Sequence, residues 1–435
     1  VHVNGFFELS SNRRDIWYGD DLVGVGKMRS DWNVALLQDV VAPSYVKLLH
    51  AVQADLEGRS EQYYQLWPQQ RPAEPWGLLV DKLYASLLDQ PVLWTDASGG
   101  KWVSPTEAVF AEPADEGDEA AAAIRASLVR SGMDLVVAPK PVLDLLQLAA
   151  RSAGVMLTTA NARTVRLWFQ GDKDRQADLS VKEGTALLTH CLRDVGTGFV
   201  GGATAVDLIG LRLAPMASGT LGMIGTPKHA DGPLLLCGAQ EGGMLKERRP
   251  DLVLTADPAE PLGRALARVA ASGQTNLKAF SAAVLSPLLP LLLPASWRGL
   301  EMASLDGEVE DLPSVEWLVG LWAYLGREHS QASLSSLTGW PLLPAEGGVA
   351  YALPADGLRG SRMLEFSEGT SARSRALARC LCGAGCLRLH SGVSRAHPQL
   401  YEYVHRVSAC AVLHAMRVSC ASAGGEVGSL FGSVT

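Results

Sequence analysis

The sequence predicts an α+β protein made of several mixed helix and strand-hairpin subdomains, with an internal repeated cassette. The chain has 435 residues, 47% of them hydrophobic and 19% charged, which is typical of a globular protein with two or three domains. Helical spacing of apolar residues alternates along the chain with short apolar runs bounded by glycine and proline. Residues 208–224 and 337–353 also resemble each other, which indicates a repeated structural unit.

We predict a first α/β segment over residues 1–115. It opens with VHVNGFFELSSNRRDIW (1–17), whose alternating pattern predicts a strand or hairpin arm with a polar tip. Arg13 and Arg14 at this tip suit an anion contact, because a guanidinium presents a planar fork of donors. Alternatively, the two arginines cover neighbouring carboxylates such as Asp15 or Asp20.

Two helices and a hairpin complete this segment. Residues 30–57 have helical spacing with a cap at Ser30 or Asp31, and we expect Pro43 to interrupt the helix. A second helix is predicted from Trp76 to Leu88. The string PVLWTDASGGKWVSP (91–105) then predicts two short strands around a Gly-Gly turn.

The second predicted segment, 116–300, is a helix-plus-hairpin module. A helix ending near Ser131 leads to a buried strand at 133–138, and PKPVLDLLQLAARSAG (139–154) starts another helix. The helix TALLTHCLRDV (185–195) precedes the cassette at 208–224, in which a strand, a proline, a Gly/Ser turn and a second strand follow one another. The apolar run 282–297 is too short to span a membrane and contains prolines, so we expect short buried helical turns there.

The third predicted segment, 301–435, repeats this order. The helix VEWLVGLWAYLG (315–326) precedes the second cassette at 337–353, and the chain closes with a helix near 397–418. The hairpin at 91–105 is a weaker third copy of the cassette. We therefore expect stacked, similar α/β modules.

Charge and cysteine usage exclude some functional classes. The net charge of -8 and the pI of 5.7 argue against nucleic acid as a partner. Cys380, Cys382 and Cys386, followed by His390 and His397, raise a zinc hypothesis, but the second ligand pair typical of such sites is missing. We therefore predict reduced thiols in the core and no metal.

Three further motifs lack the context that their chemistry requires. The G-x-G-x-x-G string at 196–201 follows a helix instead of a strand, and the glycines before Lys27 lack the first glycine and the hydroxyl of a phosphate loop. His190 and Cys191 are adjacent on a helix and point in different directions, so a hydrolase alternative would need a pocket joining them to a carboxylate. The sequence predicts no catalytic residue, no cofactor and no enzyme activity of its own.

Several long strings resemble the sacsin family, including its plant and algal sacsin/NO VEIN-type relatives. They are VHVNGFFELSSNRRDIWYGDD (1–21), RSDWNVALLQDVVAPSYVKLL (29–49), the P-V-x-W and G-G-K-W-x-S-P-x-x-A-V-F pattern at 91–110, and the strings around 312–325 and 397–418. The resemblance implies a piece of a longer protein, lying just downstream of an ATPase domain of the type found in the ninety-kilodalton heat-shock chaperone.

The resemblance also implies a function and partners. Sacsin-like proteins are associated with chaperone or co-chaperone work in protein quality control, which implies a cytoplasmic protein whose partners are its own upstream ATPase domain and client proteins or co-chaperones. Because this chain shows no ATPase motifs, we expect a coupling or client-binding part without a nucleotide pocket. Arg13 or Arg14 would then sense phosphate or contact the neighbouring domain. The alternative is a non-catalytic scaffold that only binds other proteins.

Overall fold

The computed structural model describes residues 5–11, 13–19, 23–115, 117–196, 202–306, 312–328, 333–366, 372–383 and 385–422. The chain divides into two compact units, one formed by Val1–Ala214 with Met223–Gly225 and the other by Pro215–Gly222 with Thr226–Thr435. The predicted α+β class is confirmed, since helices alternate with several small sheets. The finer division into segments 1–115, 116–300 and 301–435 stays a prediction.

The helices and strands of the first unit follow the chain in a simple order. The helices are α1 (Val25–Ala35), α2 (Ala42–Ala51), α3 (Ser60–Tyr64), α4 (Trp76–Leu87), α5 (Glu119–Arg130), α6 (Lys140–Ser152), α7 (Ala162–Gly171) and α8 (Val181–Cys191). The strands are β1 (Leu93–Thr95), β2 (Lys101–Val103), β3 (Val109–Phe110), β4 (Leu135–Val136) and β5 (Thr158–Thr159). Strands β6 (Arg212–Pro215) and β7 (Leu221–Met223) form a hairpin through which the division between the units runs.

The second unit continues the same alternation. Its helices are α9 (Ala239–Arg248), α10 (Pro261–Ala271), α11 (Ala282–Leu292), α12 (Val315–Glu328), α13 (Ala372–Gly383) and α14 (Ala409–Ser422). Its strands are β8 (Leu234–Leu236), β9 (Leu277–Ala279), β10 (Met302–Ser304), β11 (Pro341–Ala345), β12 (Val349–Ala352), β13 (Met363–Glu365), β14 (Leu387–Arg388) and β15 (His405–Arg406).

The predicted interruption at Pro43 takes a different form in the structure. The chain stays helical from α1 into α2, and a π-helical segment, Leu36–Val41, joins them. Pro43 lies at the start of α2, directly after the π-helical segment, and the wider π turn gives room for the proline ring. Ser30 lies inside α1, which begins at Val25, so the predicted cap at Ser30 or Asp31 is wrong.

The core of the first unit forms where α4 and α6 pack on the small sheets. Buried side chains from α2, α4, α6 and β1–β4 make one cluster that includes Leu83, Leu87, Phe110 and Leu146. Helix α4 runs one residue short of the predicted range Trp76–Leu88. The predicted hairpin at 91–105 is confirmed, with Trp94 opposite Trp102 across β1 and β2.

The repeated cassette is confirmed in the two hairpins β6/β7 and β11/β12. A constant offset along the chain relates Gly210 to Gly339 and Ile224 to Leu353. The N–H of Gly210 donates to Ile224 O at 2.8 Å, and the N–H of Gly339 donates to Leu353 O at 3.3 Å, so the same bond closes both hairpins. Both glycines have positive φ, at 96° and 81°, a conformation that side chains disfavour.

A parallel three-stranded arrangement follows each hairpin. Strand β3 lies between β4 and β5, and β13 lies between β14 and β15. Strand β8 pairs with β9 on one side. On its other side, Leu235 of β8 forms a parallel bridge with Val253. We call these sets module A (β1–β5), module B (β6–β9) and module C (β11–β15).

The core of the second unit forms around α12. Trp322 is fully buried on this helix and its indole N–H donates to Leu342 O at 2.7 Å. The apolar run at 282–297 forms one helix, α11, and a further helical turn at Ala295–Trp297, with Pro287 and Pro290 inside α11. Among the described residues, no helix is both long and apolar enough to cross a membrane.

Candidate functional site

The N-terminal arm forms a short hairpin, as its alternating pattern predicts. Leu9 and Ile16 form an antiparallel bridge. The N–H of Trp17 donates to Glu8 O at 2.7 Å, which closes the base of the hairpin. The residues between Leu9 and Ile16 therefore form the tip of the hairpin.

The tip carries the two predicted site residues. The N–H of Arg13 donates to Ser10 O at 2.8 Å, and the N–H of Ser10 donates to Asp15 O at 2.8 Å. Arg13 has a φ of 56°, in the left-handed region that few residues other than glycine adopt. Both Arg13 and Arg14 are exposed. The tip thus carries two consecutive arginines that are both exposed at the surface.

The alternative interpretation was that the two arginines cover neighbouring carboxylates. The structure gives a different answer for Arg13 and for Arg14. Within the described part of the chain, the Arg13 side chain makes no ion pair, with Asp15 or any other carboxylate. Arg14 does have a partner. Asp20 lies outside the described residues. The interpretation is therefore unsupported at Arg13.

Helix α1 holds the hairpin through a buried amide. Asn33 is 0% exposed, its Oδ1 accepts from Glu8 N at 2.9 Å, and its Nδ2 donates to Glu8 O at 2.8 Å and to Trp17 O at 2.9 Å. Ser30, one turn earlier, is also buried and its Oγ accepts from Gly19 N at 3.3 Å. These bonds pair the N–H groups of Glu8 and Gly19 and the carbonyl of Trp17, and they give the Glu8 carbonyl a second donor.

The outer side of the hairpin is held by aromatic and charged side chains. The indole N–H of Trp32 donates to Phe6 O at 3.0 Å, and Phe7 packs edge-on against Trp76 with ring centroids 6.2 Å apart. Arg29 forms an ion pair with Glu8 at 3.5 Å. These supporting residues were not predicted from the sequence. A tryptophan and an arginine on one short helix are the signal that would have indicated a docked partner strand.

This arrangement offers binding chemistry. The guanidinium groups of Arg13 and Arg14 can hold an oxyanion or a carboxylate through charge-assisted hydrogen bonds. The hairpin is therefore suited to contacting a phosphate group or an acidic protein surface.

One stretch of the chain is similar to a known protein. A stretch of 48 residues is 54% identical to human sacsin. The match covers 11% of this chain and 1% of the length of sacsin. No protein-family model matches the chain, and no solved structure matches it significantly. The comparison supports a sacsin-related region over that stretch; the longer resemblance, over strings throughout the chain, stays a prediction.

The His190–Cys191 pair does not form a nucleophilic site. The ring Nε2 of buried His190 lies 3.1 Å from Ala160 O, and its Nδ1 lies 4.0 Å from Glu112, so a carboxylate is present. Burial lowers the pKa of His190. Burial also raises the pKa of the Cys191 thiol to about 12, which keeps it protonated and unreactive. Core packing therefore explains Cys191.

The cysteines near residue 380 divide between core and surface. Cys386 is buried just before β14, as predicted for a turn entering a strand, whereas Cys380 and Cys382 are exposed. The prediction of core thiols is therefore wrong for the latter two. Within the described ranges, no group of three or more His, Cys, Asp or Glu residues is placed to hold a metal ion.

The two glycine motifs also differ from nucleotide loops. Gly196 follows α8 in a turn with a φ of 68°, whereas Gly198 and Gly201 lie outside the described residues. Lys27 lies in the first turn of α1 and pairs with Asp31 at 3.2 Å.

Proposed function

We propose that this chain belongs to a sacsin-like protein with a chaperone or co-chaperone function in protein quality control, acting in the cytoplasm. In this proposal it is a coupling or client-binding part without a nucleotide pocket of its own. Its partners are an ATPase domain of the same protein and client proteins or co-chaperones. The observation that carries the proposal is the N-terminal hairpin, which raises Arg13 and Arg14 on a base fixed by Asn33.

The rigidity of the hairpin base supports a positioning function for the arginines. An arginine that stabilises charge on a transferring phosphoryl group must be held in place before the reaction, because reorganisation at that moment is costly. Asn33 and Trp32 on α1 make four hydrogen bonds with the hairpin and its flanks. The left-handed backbone of Arg13 costs about 1 kcal/mol or more, which is common where a side chain is aimed for function.

Substitution of the two arginines in the longer protein tests this proposal. We expect Arg13→Asn combined with Arg14→Gln to lower ATP turnover at least tenfold, the minimum for loss of a charge-stabilising contact. Asparagine tolerates the left-handed backbone at position 13, so the hairpin is kept. Arg59→Gln, at an exposed arginine of the same unit, is the matched control. Unchanged turnover in the double variant would rule out the coupling function.

The scaffold alternative has its own supporting observation. Val25 and Met28 lie exposed on α1, with Trp32 one turn further and Phe6 exposed on the hairpin. Neighbouring exposed apolar side chains mark surfaces that bind proteins. This surface would serve client binding without any nucleotide.

Aggregation assays separate the two functions. If the chain is a binding module, it suppresses aggregation of a heat-unfolded test enzyme without ATP, and Val25→Ser with Met28→Ser weakens that suppression. Leu167→Ser, at an exposed leucine of α7, is the control. If the α1 variant and the Leu167→Ser control suppress aggregation equally well, binding through α1 is contradicted.

A further inference from the structure

Module C contains a polar cavity at the carboxyl edge of its parallel sheet. The chain runs from β13 to β14 on one side and then crosses to β15 on the other. In open sheets with parallel strands, ligands bind outside the carboxyl ends of the strands where the strand order reverses. Glu365 and Phe366 at the end of β13, and Arg406 and Val407 at the end of β15, lie at this point.

The cavity is large enough for a small molecule. Its volume is about 430 Å³, and these four residues line it together with Ser391, Ser394 and Arg395. Ligand pockets in proteins begin at about 300 Å³. Most of the lining side chains are polar or charged, so the ligand that matches it is polar.

The carboxylate in the cavity is already satisfied by its neighbours. Glu365 is 7% exposed, the Ser394 hydroxyl donates to its Oε1, and Arg406 Nε lies 3.9 Å from its Oε2. One carboxylate oxygen thus accepts a hydrogen bond from a hydroxyl, and the other lies beside a guanidinium. Glu365 therefore positions Ser394 and Arg406 and is not available to hold a cation.

Arg395 is the second arginine in the cavity lining, and it gives the lining one more positive charge than negative charge. Arg395 is exposed and its side chain makes no hydrogen bond or ion pair within the described ranges. Its φ of 59° is a strained left-handed conformation, as often found at binding sites. Arg406 is itself 69% exposed and stacks on Tyr401, with its Cζ 4.1 Å from the ring centroid. The lining of the cavity thus contains two arginines and one carboxylate.

We propose that this cavity binds the phosphate group of a small ligand or of a phosphorylated peptide, with Arg395 and Arg406 as its donors. Guanidinium forks match the oxygens of phosphate, and the surplus positive charge favours an anion. The site lies in a different unit from the N-terminal hairpin and stands independently of the proposed function.

Among the described residues, the carboxyl edge of the parallel sheet in module A has no comparable space for a ligand, whereas the same edge in module C does. At the carboxyl edge of β3 and β5, Glu112 pairs with Arg193 at 3.1 Å beside buried His190. The cavity there has a volume of about 60 Å³, enough for one or two water molecules. Modules A and C thus both have a carboxylate–arginine pair at the carboxyl edge of the parallel sheet. Only in module C is the cavity beside the pair large enough for a small ligand.

Calorimetric titration of the whole chain with inorganic phosphate tests the proposal. We expect a dissociation constant on the order of 1 mM for the unmodified chain. Arg395→Asn and Arg406→Met should each weaken binding about tenfold or more, since each removes charged hydrogen bonds. Asparagine tolerates the left-handed backbone and methionine retains packing on Tyr401, so both variants should fold; Arg406→Lys is the second variant if Arg406→Met does not.

Two controls make the result specific. Glu365→Gln should tighten phosphate binding, because it removes the opposing negative charge while keeping an acceptor for Ser394. Arg298→Gln, at an exposed arginine of the same unit outside the cavity, should bind like the unmodified chain. A merely structural function of Glu365 would not tighten binding.

The results distinguish a phosphorylated peptide from a free phosphate ligand. Other results would contradict the proposed site. A phosphoserine peptide that binds at least tenfold tighter than inorganic phosphate identifies a phosphorylated protein segment, and equal affinities identify a free small ligand. Binding that persists unchanged in both arginine variants would overturn the proposed site. Absence of binding up to roughly 10 mM phosphate would overturn it as well.

Discussion

Asn33 and Glu8 exchange two hydrogen bonds, one of 2.9 Å from Glu8 N to Asn33 Oδ1 and one of 2.8 Å from Asn33 Nδ2 to Glu8 O. A third bond from the same amide reaches Trp17 O at 2.9 Å. One buried side chain therefore fixes both strands of the hairpin that carries Arg13 and Arg14. The position of the arginines depends on Asn33 more than on contacts of the tip itself.

Asn33→Asp should release the hairpin while leaving the unit folded. The change replaces the donor amide by an oxygen that faces the carbonyls of Glu8 and Trp17, and loss of two buried hydrogen bonds costs about 2–4 kcal/mol. Trypsin cleavage after Arg13 and Arg14 should then accelerate at least tenfold. Asp31→Asn, on the exposed side of α1, should leave the cleavage rate unchanged. Equal rates in the two variants would contradict the clamp.

Gly326→Ala should destabilise the second unit, whereas Gly320→Ala on the same helix should stabilise it. A Cβ at Gly326 would lie 1.7 Å from Ala396 O, so α12 would have to move, whereas a Cβ at Gly320 meets nothing within 4 Å. We expect a loss of about 2 kcal/mol or more for the first. For the second we expect a gain of about 0.5–1 kcal/mol from helix propensity. Urea unfolding of both variants measures the difference, and changes of the same sign would contradict the packing.

Arg166→Met should destabilise the first unit by about 2–4 kcal/mol, since it removes the donor to the buried carbonyl of Cys191 and the guanidinium that pairs with Asp194. Arg166 donates to Cys191 O at 2.6 Å and, through both Nη atoms, to Asp194 at 2.5 and 2.9 Å. Arg163→Met, on the exposed face of α7, should change the free energy of unfolding by less than about 0.5 kcal/mol. A double-mutant cycle with Asp194→Asn measures the coupling, and additive losses would show that the pair does not interact.

Acid should weaken the junction of α5 and α8 through Glu183. The Arg130 guanidinium, together with the Ser180 hydroxyl and N–H, holds the pKa of Glu183 at about 2. Since the pKa of the folded state lies below the unfolded value near 4.5, this stabilisation is complete above pH 4.5 and is lost as the pH falls towards 2. Glu183→Gln, which keeps an acceptor for the cap of α8, should show a shallower loss of unfolding free energy between pH 5 and about 3. An identical pH dependence would contradict the ion pair.

The sequence predicted the parts of the fold that glycine and proline determine. The cassettes at 208–224 and 337–353 were visible because each joins two apolar strands through a proline and a Gly/Ser turn. The hairpin at 91–105 and the arginine tip followed from the same kind of signal.

The parallel sheets and their cavities could not be predicted in this way. Strands such as β3, Val109–Phe110, have two residues, which is too short for a period to show. The cavity of module C draws Glu365, Arg395 and Arg406 from three separate stretches of chain, and no local pattern joins them. Asn33 was overlooked because a polar residue in a helix normally faces solvent.

The local pairing within each module has a consequence for synthesis on the ribosome. The three strands around β3 lie within about 50 residues of one another, and the same holds around β8 and around β13. A nascent chain can therefore close each sheet soon after its last strand emerges, without waiting for distant sequence. Phe110 can be buried before Leu364 has been translated, so folding can proceed from the amino-terminal module onwards.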